Sequence, residues 1–109
     1  MEVRRRIVEH YTDPHGRCYF EEWLDSLAVP TRARIIARLI QAGNGLLGDV
    51  APIGEGASEM RLHFGPGYRI YAGIRSAVIV VLAGSDKSAQ RRTIEIALLL
   101  WREYKRRVQ

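Results

Sequence analysis

The hydrophobic period changes several times along this chain, and each change is marked by turn residues. In VRRRIVEHY, residues 3–11, Arg4 and Arg6 alternate with less polar neighbours. The segment ends at Asp13-Pro14-His15-Gly16, so it reads as a strand closed by a turn. From Tyr19 to Leu27, Phe20, Trp23, Leu24 and Leu27 repeat at helical spacing and predict a short amphipathic helix. A second helix starts at Pro30-Thr31, presents Ile35, Ile36, Leu39 and Ile40 as its apolar face, and stops at Gly43-Asn44-Gly45. Together the two make a helical hairpin. From Gly45 to Gly56 the four glycines and one proline predict an irregular connection.

Three strands are then expected, Ser58–Phe64, Tyr68–Arg75 and Ala77–Gly84. The last, AVIVVLAG, has no polar alternation, as suits a central strand covered on both faces. Ser85 or Asp86 can cap a final helix in which Ile94, Ala97, Leu98, Trp101 and Tyr104 keep helical spacing. The expected order is β-α-α-β-β-β-α, an α+β domain over residues 1–109 with a mainly antiparallel four-stranded sheet. Neither an internal repeat nor a low-complexity segment interrupts it.

Side chains on a strand alternate between faces, so Met60, Leu62 and Phe64 point one way while Glu59, Arg61 and His63 point the other. On the next strand Tyr68, Ile70, Ala72 and Ile74 share one face and Arg69, Tyr71 and Arg75 the opposite one. With Gly65-Pro66-Gly67 as the turn, Leu62 is expected opposite Ile70, His63 opposite Arg69, and Arg61 opposite Tyr71. Arg61, His63, Arg69 and Tyr71 then form one polar patch, in which His63 and Arg69 repel and Glu59 is too short to neutralise every charge.

Composition sharpens the chemistry of that patch. A formal charge of +5, with 17 basic against 12 acidic side chains, favours a polyanionic partner such as nucleic acid or an acidic protein segment. Fifteen of the 17 basic residues are arginine, which grips phosphate in a bidentate manner, although a GC-rich genome produces the same bias. The single cysteine, Cys18, excludes an internal disulfide framework, provides no zinc-ligand spacing, and reads as inert. MEVRRRIVEHY is not a signal peptide, and no apolar run approaches the about 18 residues of a membrane span. A soluble cytoplasmic protein is expected.

A phosphate would satisfy the patch. Guanidinium groups hold non-bridging oxygens and stabilise a pentacoordinate transition state. His63 can exchange a proton near neutral pH, and Tyr68 or Tyr71 can stack a base. At the chain ends, RRR at 4–6 and YKRR at 104–107 can reach RNA phosphates, so Arg4, Arg6 and Lys105, with Arg75, are candidate RNA contacts that tune affinity.

MRLHFGPGYRIYAG, then an apolar strand, then GSDKSAQRRTIEIALLLWREYK, resembles the RelE/ParE superfamily of type II toxins, and in particular its HigB-like branch of addiction module killer proteins. The likeness runs from FEEWLDSL to the last helix. It implies a compact α/β toxin silenced by a cognate helix-turn-helix antitoxin, whose complex binds operator DNA. RelE-like members cleave messenger RNA on the ribosome, without a metal or other cofactor, by directing the ribose 2′-hydroxyl at the adjacent phosphate. Arg69 matches the arginine of the family's YR strand motif. Arg61 matches the basic position on the preceding strand. Lys87, in GSDKS, matches the basic or polar position after the last strand, where it protonates the leaving oxygen or holds phosphate. A role for His63 as acid or base follows from strand geometry alone.

Plainer readings stand beside these. Arg61 and Arg69 can be solvated charges on an open sheet face, His63 a surface residue, and Asp86-Lys87-Ser88 a helix start. Trp23, Trp101 and Leu98 to Leu100 sit at core spacing, and the glycines at 54, 56, 65 and 67 lack the lysine of a P-loop. Three functions remain compatible with the chain: a messenger RNA endonuclease, a ParE-like gyrase inhibitor that acts by binding, and a non-toxic module that binds only its antitoxin and operator DNA.

Overall fold

The structure, a computed structural model, describes residues 4–109, so Val3 of the first expected strand lies outside the described residues. Its elements are β1 (Ile7–His10), α1 (Tyr19–Asp25), α2 (Val29–Gly43), β2 (Val50–Gly54), β3 (Ala57–Leu62), β4 (Tyr68–Arg75), β5 (Val78–Ser85), a one-turn 3-10 helix (Lys87–Ala89) and α3 (Gln90–Arg107). The fold is α+β, but its sheet has five strands in the order β1-β5-β4-β3-β2 instead of the expected four. β1 pairs parallel to β5 and every other pair is antiparallel, which makes the sheet mixed.

The additional strand, β2, lies in the stretch expected to be an irregular connection. Pro52 is tolerated there because β2 is an edge strand and its missing N–H breaks no inner ladder. A two-residue turn, Glu55-Gly56, joins β2 to β3, with φ of 59° and 86° as in the primed turns whose twist suits a hairpin. Glutamate at the first of those positions hides the turn from a sequence reading.

β5 is an inner strand buried on both faces, as its unbroken apolar run predicts, although β4 holds the middle of the sheet, and the sheet carries a core on each face. On one side Phe20 and Leu24 of α1 and Ile35, Leu39 and Ala42 of α2 pack against Met60, Leu62, Ile70, Ala72, Ile79 and Val81. Burying each such large side chain contributes about 1.5–3 kcal/mol. Ile36 and Ile40, expected in the apolar face of α2, are instead 44% and 60% exposed, because the buried stripe continues through Ala42. On the other side Ala97, Leu100 and Trp101 of α3 cover Tyr71, Val80, Leu82 and Ala83. Both tryptophans sit over sheet glycines: a Cβ on Gly73 would collide with the Trp101 ring, and one on Gly84 with Trp23.

The β3–β4 register is two residues from the expected one. Arg61 pairs with Arg69, Leu62 with Tyr68, Met60 with Ile70 and Glu59 with Tyr71. The connection is therefore the five-residue loop 63–67, not the three-residue Gly65-Pro66-Gly67 turn, and His63 belongs to it. A slip of two leaves every side chain on its predicted face, since the strand period is two. A bulge at Leu82, between the pairs Tyr71–Ala83 and Ala72–Val81, reverses the phase of the end of β5. It turns Gly84 toward Trp23 and Ser85 toward Tyr71. Among the described residues no helix is long and apolar enough to cross a membrane.

Candidate functional site

Strand phase places Arg61 and Arg69 side by side on the face that α3 also covers, and the 63–67 loop folds over their outer end. The result is an open cleft of about 630 Å³ lined by Arg61, His63, the loop glycines with Pro66, Arg69, Lys87 and Gln90. Lys87 enters because the 3-10 turn begins directly after β5. The Asp86 carboxylate accepts from the Ser88 and Ala89 amides, and the Lys87 amide reaches the Pro66 carbonyl at 3.4 Å. Arg61, His63 and Arg69, named from strand phase, and Lys87, named from the resemblance, therefore share one cavity.

Beneath the two arginines lies Glu59, only 2% exposed. Arg61 Nε donates to Glu59 Oε2 at 3.2 Å and Gln90 Nε2 to Oε1 at 2.7 Å, while Arg69 Nε lies 3.4 Å from Oε1. Far from being too short, Glu59 is the hub of the patch, because both guanidinium groups reach down to it. Arg69 also donates from Nη1 to the Gly67 carbonyl at 2.5 Å. Its buried Nε has no hydrogen bond, and the one Glu59 carboxylate is shared with Arg61, so Arg69 keeps an unused donor. A guanidinium held this way is stiff before any ligand arrives.

His63 does not face Arg69. It projects from the loop, 74% exposed at its side chain, and its Nε2 lies 2.5 Å from Asp49 Oδ2. An ionised carboxylate only accepts, so Nε2 carries a proton, and in the neutral ring Nδ1 is the free acceptor. That hydrogen bond, ahead of the charges of Arg61, His63 and Arg38, holds the Asp49 carboxyl below the ordinary aspartate range. The Arg61 amide also donates to the Asp49 carbonyl at 3.0 Å, which ties the segment before β2 to the cleft. Asp49 and Gln90 were missed by the sequence reading. They stand 14 and 27 residues from His63 in the chain, and neither belongs to a recognisable motif.

The base-stacking candidates do not face the cleft. Tyr71 is fully buried under α3 and its hydroxyl shares a hydrogen bond with Ser85 Oγ at 2.9 Å; burial pushes its pKa up. Tyr68 points to the opposite face, its ring 5.1 Å from Phe64 and 6.2 Å from Trp23. The other RNA candidates lie elsewhere too. Arg6 donates from Nε to the Ser76 carbonyl in the β4–β5 turn, Arg75 ends β4 at that turn, and Arg4 precedes Arg6. Lys105 donates to the Glu55 carbonyl at 3.1 Å, at the far hairpin. None of these four lines the cleft.

Cys18, His10 and Glu21 offer ligand atoms within 4.8 Å of one another, the one such trio among the described residues, and none of them lines the cleft. A 2.9 Å hydrogen bond between His10 Nδ1 and Glu21 Oε2 already satisfies both groups.

Fold and site define a small α+β protein with a mixed five-stranded sheet, helices on both faces and an arginine-lined cleft at the β3–β4 loop. No family model matches the chain. An uncharacterized protein of Haemophilus influenzae is 37% identical to it over 86 residues, covering 77% of this chain and 87% of that protein, and the chain belongs to the same family.

Proposed function

We propose that this chain is the toxin of a type II toxin–antitoxin pair, a RelE/ParE-like protein of the HigB-like branch that cleaves messenger RNA on the ribosome. The observation that carries the reading is the meeting of Arg61, His63, Arg69 and Lys87 around one open cleft, with both guanidiniums braced by a single buried carboxylate. Arg61, Arg69 and Lys87 stand against Glu59 and Asp49, whose Oδ1 lies 3.8 Å from Arg61, so the cations at the cavity outnumber the carboxylates paired with them.

In this reading Arg69 and Arg61 hold the non-bridging oxygens of the scissile phosphate and stabilise the charge that grows on them. The 2′-oxygen attacks phosphorus as its proton passes to Nδ1 of His63, and Asp49 fixes that tautomer through Nε2. The 5′-oxygen leaves with a proton from Lys87, which gives a 2′,3′-cyclic phosphate and a 5′-hydroxyl. The protein groups supply positions, charge and protons, and the nucleophile belongs to the RNA.

The partner that silences such a site is an acidic or amphipathic segment of a cognate helix-turn-helix antitoxin laid over the cleft, in a complex that also binds operator DNA. The test is to map RNA 5′ ends after the chain is induced. Ends bearing 5′-hydroxyls and clustered within translated codons support the nuclease. Intact messages with linearised DNA trapped on gyrase support a ParE-like inhibitor and overturn it.

A further inference from the structure

The end of β3 and the start of its loop form a wall between two hollows. One is the cleft. The other, about 370 Å³, lies on the α2 side and is lined by Arg34, Ala37, Arg38, Gln41 and again Arg61 to Phe64. Arg61, His63 and Phe64 border both, so a ligand in one meets the same side chains as a ligand in the other.

Two features of the second groove call for an anion. Most arginines of known contact are matched to a carboxylate: Arg17 to Glu22, Arg32 to Asp25, Arg61 and Arg69 to Glu59, Arg102 to Glu55, and Arg107 to Glu103. Arg34 and Arg38 are not; among the described residues neither has a carboxylate within ion-pair distance. Arg38 is half-buried and anchored by the Leu47 and Asp49 carbonyls, which fix its position without cancelling its charge. Burial draws its pKa down, the sign of a cation held without full compensation; the Asp49 charge opposes that, but its carboxylate is engaged by His63. Arg34 is exposed and lies flat on Phe64, its guanidinium carbon 3.6 Å from the ring centroid. Its outer face is a stacking surface for a further planar group.

We infer that the α2 groove is a second subsite for single-stranded RNA, where Arg38 meets a backbone phosphate and the Arg34–Phe64 stack takes the base of a nucleotide flanking the one in the cleft. The inference rests on the RNA reading of the cleft. It recognises backbone and base plane, so it adds affinity with length and no preference for sequence.

The test uses uncleavable 2′-O-methyl oligoadenylates, one of about 12 nucleotides and one dinucleotide, the first within the range of a single-domain site. Binding is followed by anisotropy for the long probe and by NMR titration for the short one. Arg34→Ala, at an exposed position that leaves the fold intact, is expected to weaken the long probe about tenfold with the salt slope and the dinucleotide unchanged, while Arg38→Gln is expected to lower the slope for the long probe by about one phosphate contact. Arg34→Lys keeps the charge but loses the flat stack, and is expected to recover little of the affinity. Equal weakening of both probes, or none of either, overturns the second subsite while the cleft reading stands. A wild-type chain that binds neither probe overturns both.

Discussion

Glu59 and Arg69 sit on neighbouring strands with Glu59 Oε1 3.4 Å from Arg69 Nε, and the Glu59 side chain is buried while that of Arg69 is 12% exposed. A carboxylate in that position would be costly alone. Its acceptance of Arg61 and Gln90 as well explains how it is tolerated, and why the guanidiniums above it are fixed.

Removing this hub leaves Arg69 as an uncompensated, nearly buried charge. Glu59→Ala is therefore expected to lower the unfolding free energy by about 3 kcal/mol in urea titrations. Glu59→Gln, which keeps an acceptor for Gln90, is expected to lose less. Equal stability of Glu59→Ala and wild type would mean that the buried carboxylate supports nothing.

The tryptophan contacts make a prediction about packing. Gly73 and Gly84 each leave room for one indole against the sheet. Gly73→Ala and Gly84→Ala each force a ring aside and are expected to destabilise by about 1–3 kcal/mol. Ala at exposed Gly16, where a Cβ meets nothing within 4 Å, controls for size, although φ of 88° there adds its own strain. Thermal melts decide it.

Acid should act on Asp49. Its folded pKa is depressed, first by the hydrogen bond from His63, so the interaction is fully present above the ordinary aspartate pKa and is lost as pH falls through the depressed value. Asp49→Asn has no carboxylate charge to lose at any pH. The two proteins should thus differ in stability above the ordinary aspartate value of 3.8 and converge as pH falls through the depressed one. A gap that stays constant over this range would contradict the pairing.

Burial, ahead of its contacts with Glu21, pushes the Cys18 thiol above its ordinary value of 9.0. Less thiolate is then present at neutral pH than on a free cysteine, and alkylation by iodoacetamide should be slower. A faster rate than free cysteine would show an activated thiol and reverse the reading of Cys18 as inert.

Period-two alternation was enough to put Arg61 and Arg69 on one face, because a slip of two residues preserves faces. It was not enough to pair them correctly, since Gly65-Pro66-Gly67 resembles a complete turn while the chain needs His63 and Phe64 to round the corner. Tyr71 was assigned to the open patch because a sequence does not reveal that α3 crosses that face, nor that a bulge at Leu82 turns Ser85 toward its hydroxyl. β2 was hidden by the glycines and proline that an edge strand tolerates. Glu59 was visible as a residue and misjudged as a partner: its reach depends on two arginines bending down to it. Asp49 and Gln90 come from distant segments, and only the folded chain brings them to the cleft.

The central claim is that Arg69 grips a phosphate that is being cleaved. The most direct measurement is the rate of RNA cleavage at the mapped sites by wild type and by Arg69→Gln, with melting temperatures taken to show that both are folded. Loss of one preorganised donor should slow cleavage by about 10²–10³-fold. Cleavage by folded Arg69→Gln at the wild-type rate would contradict it.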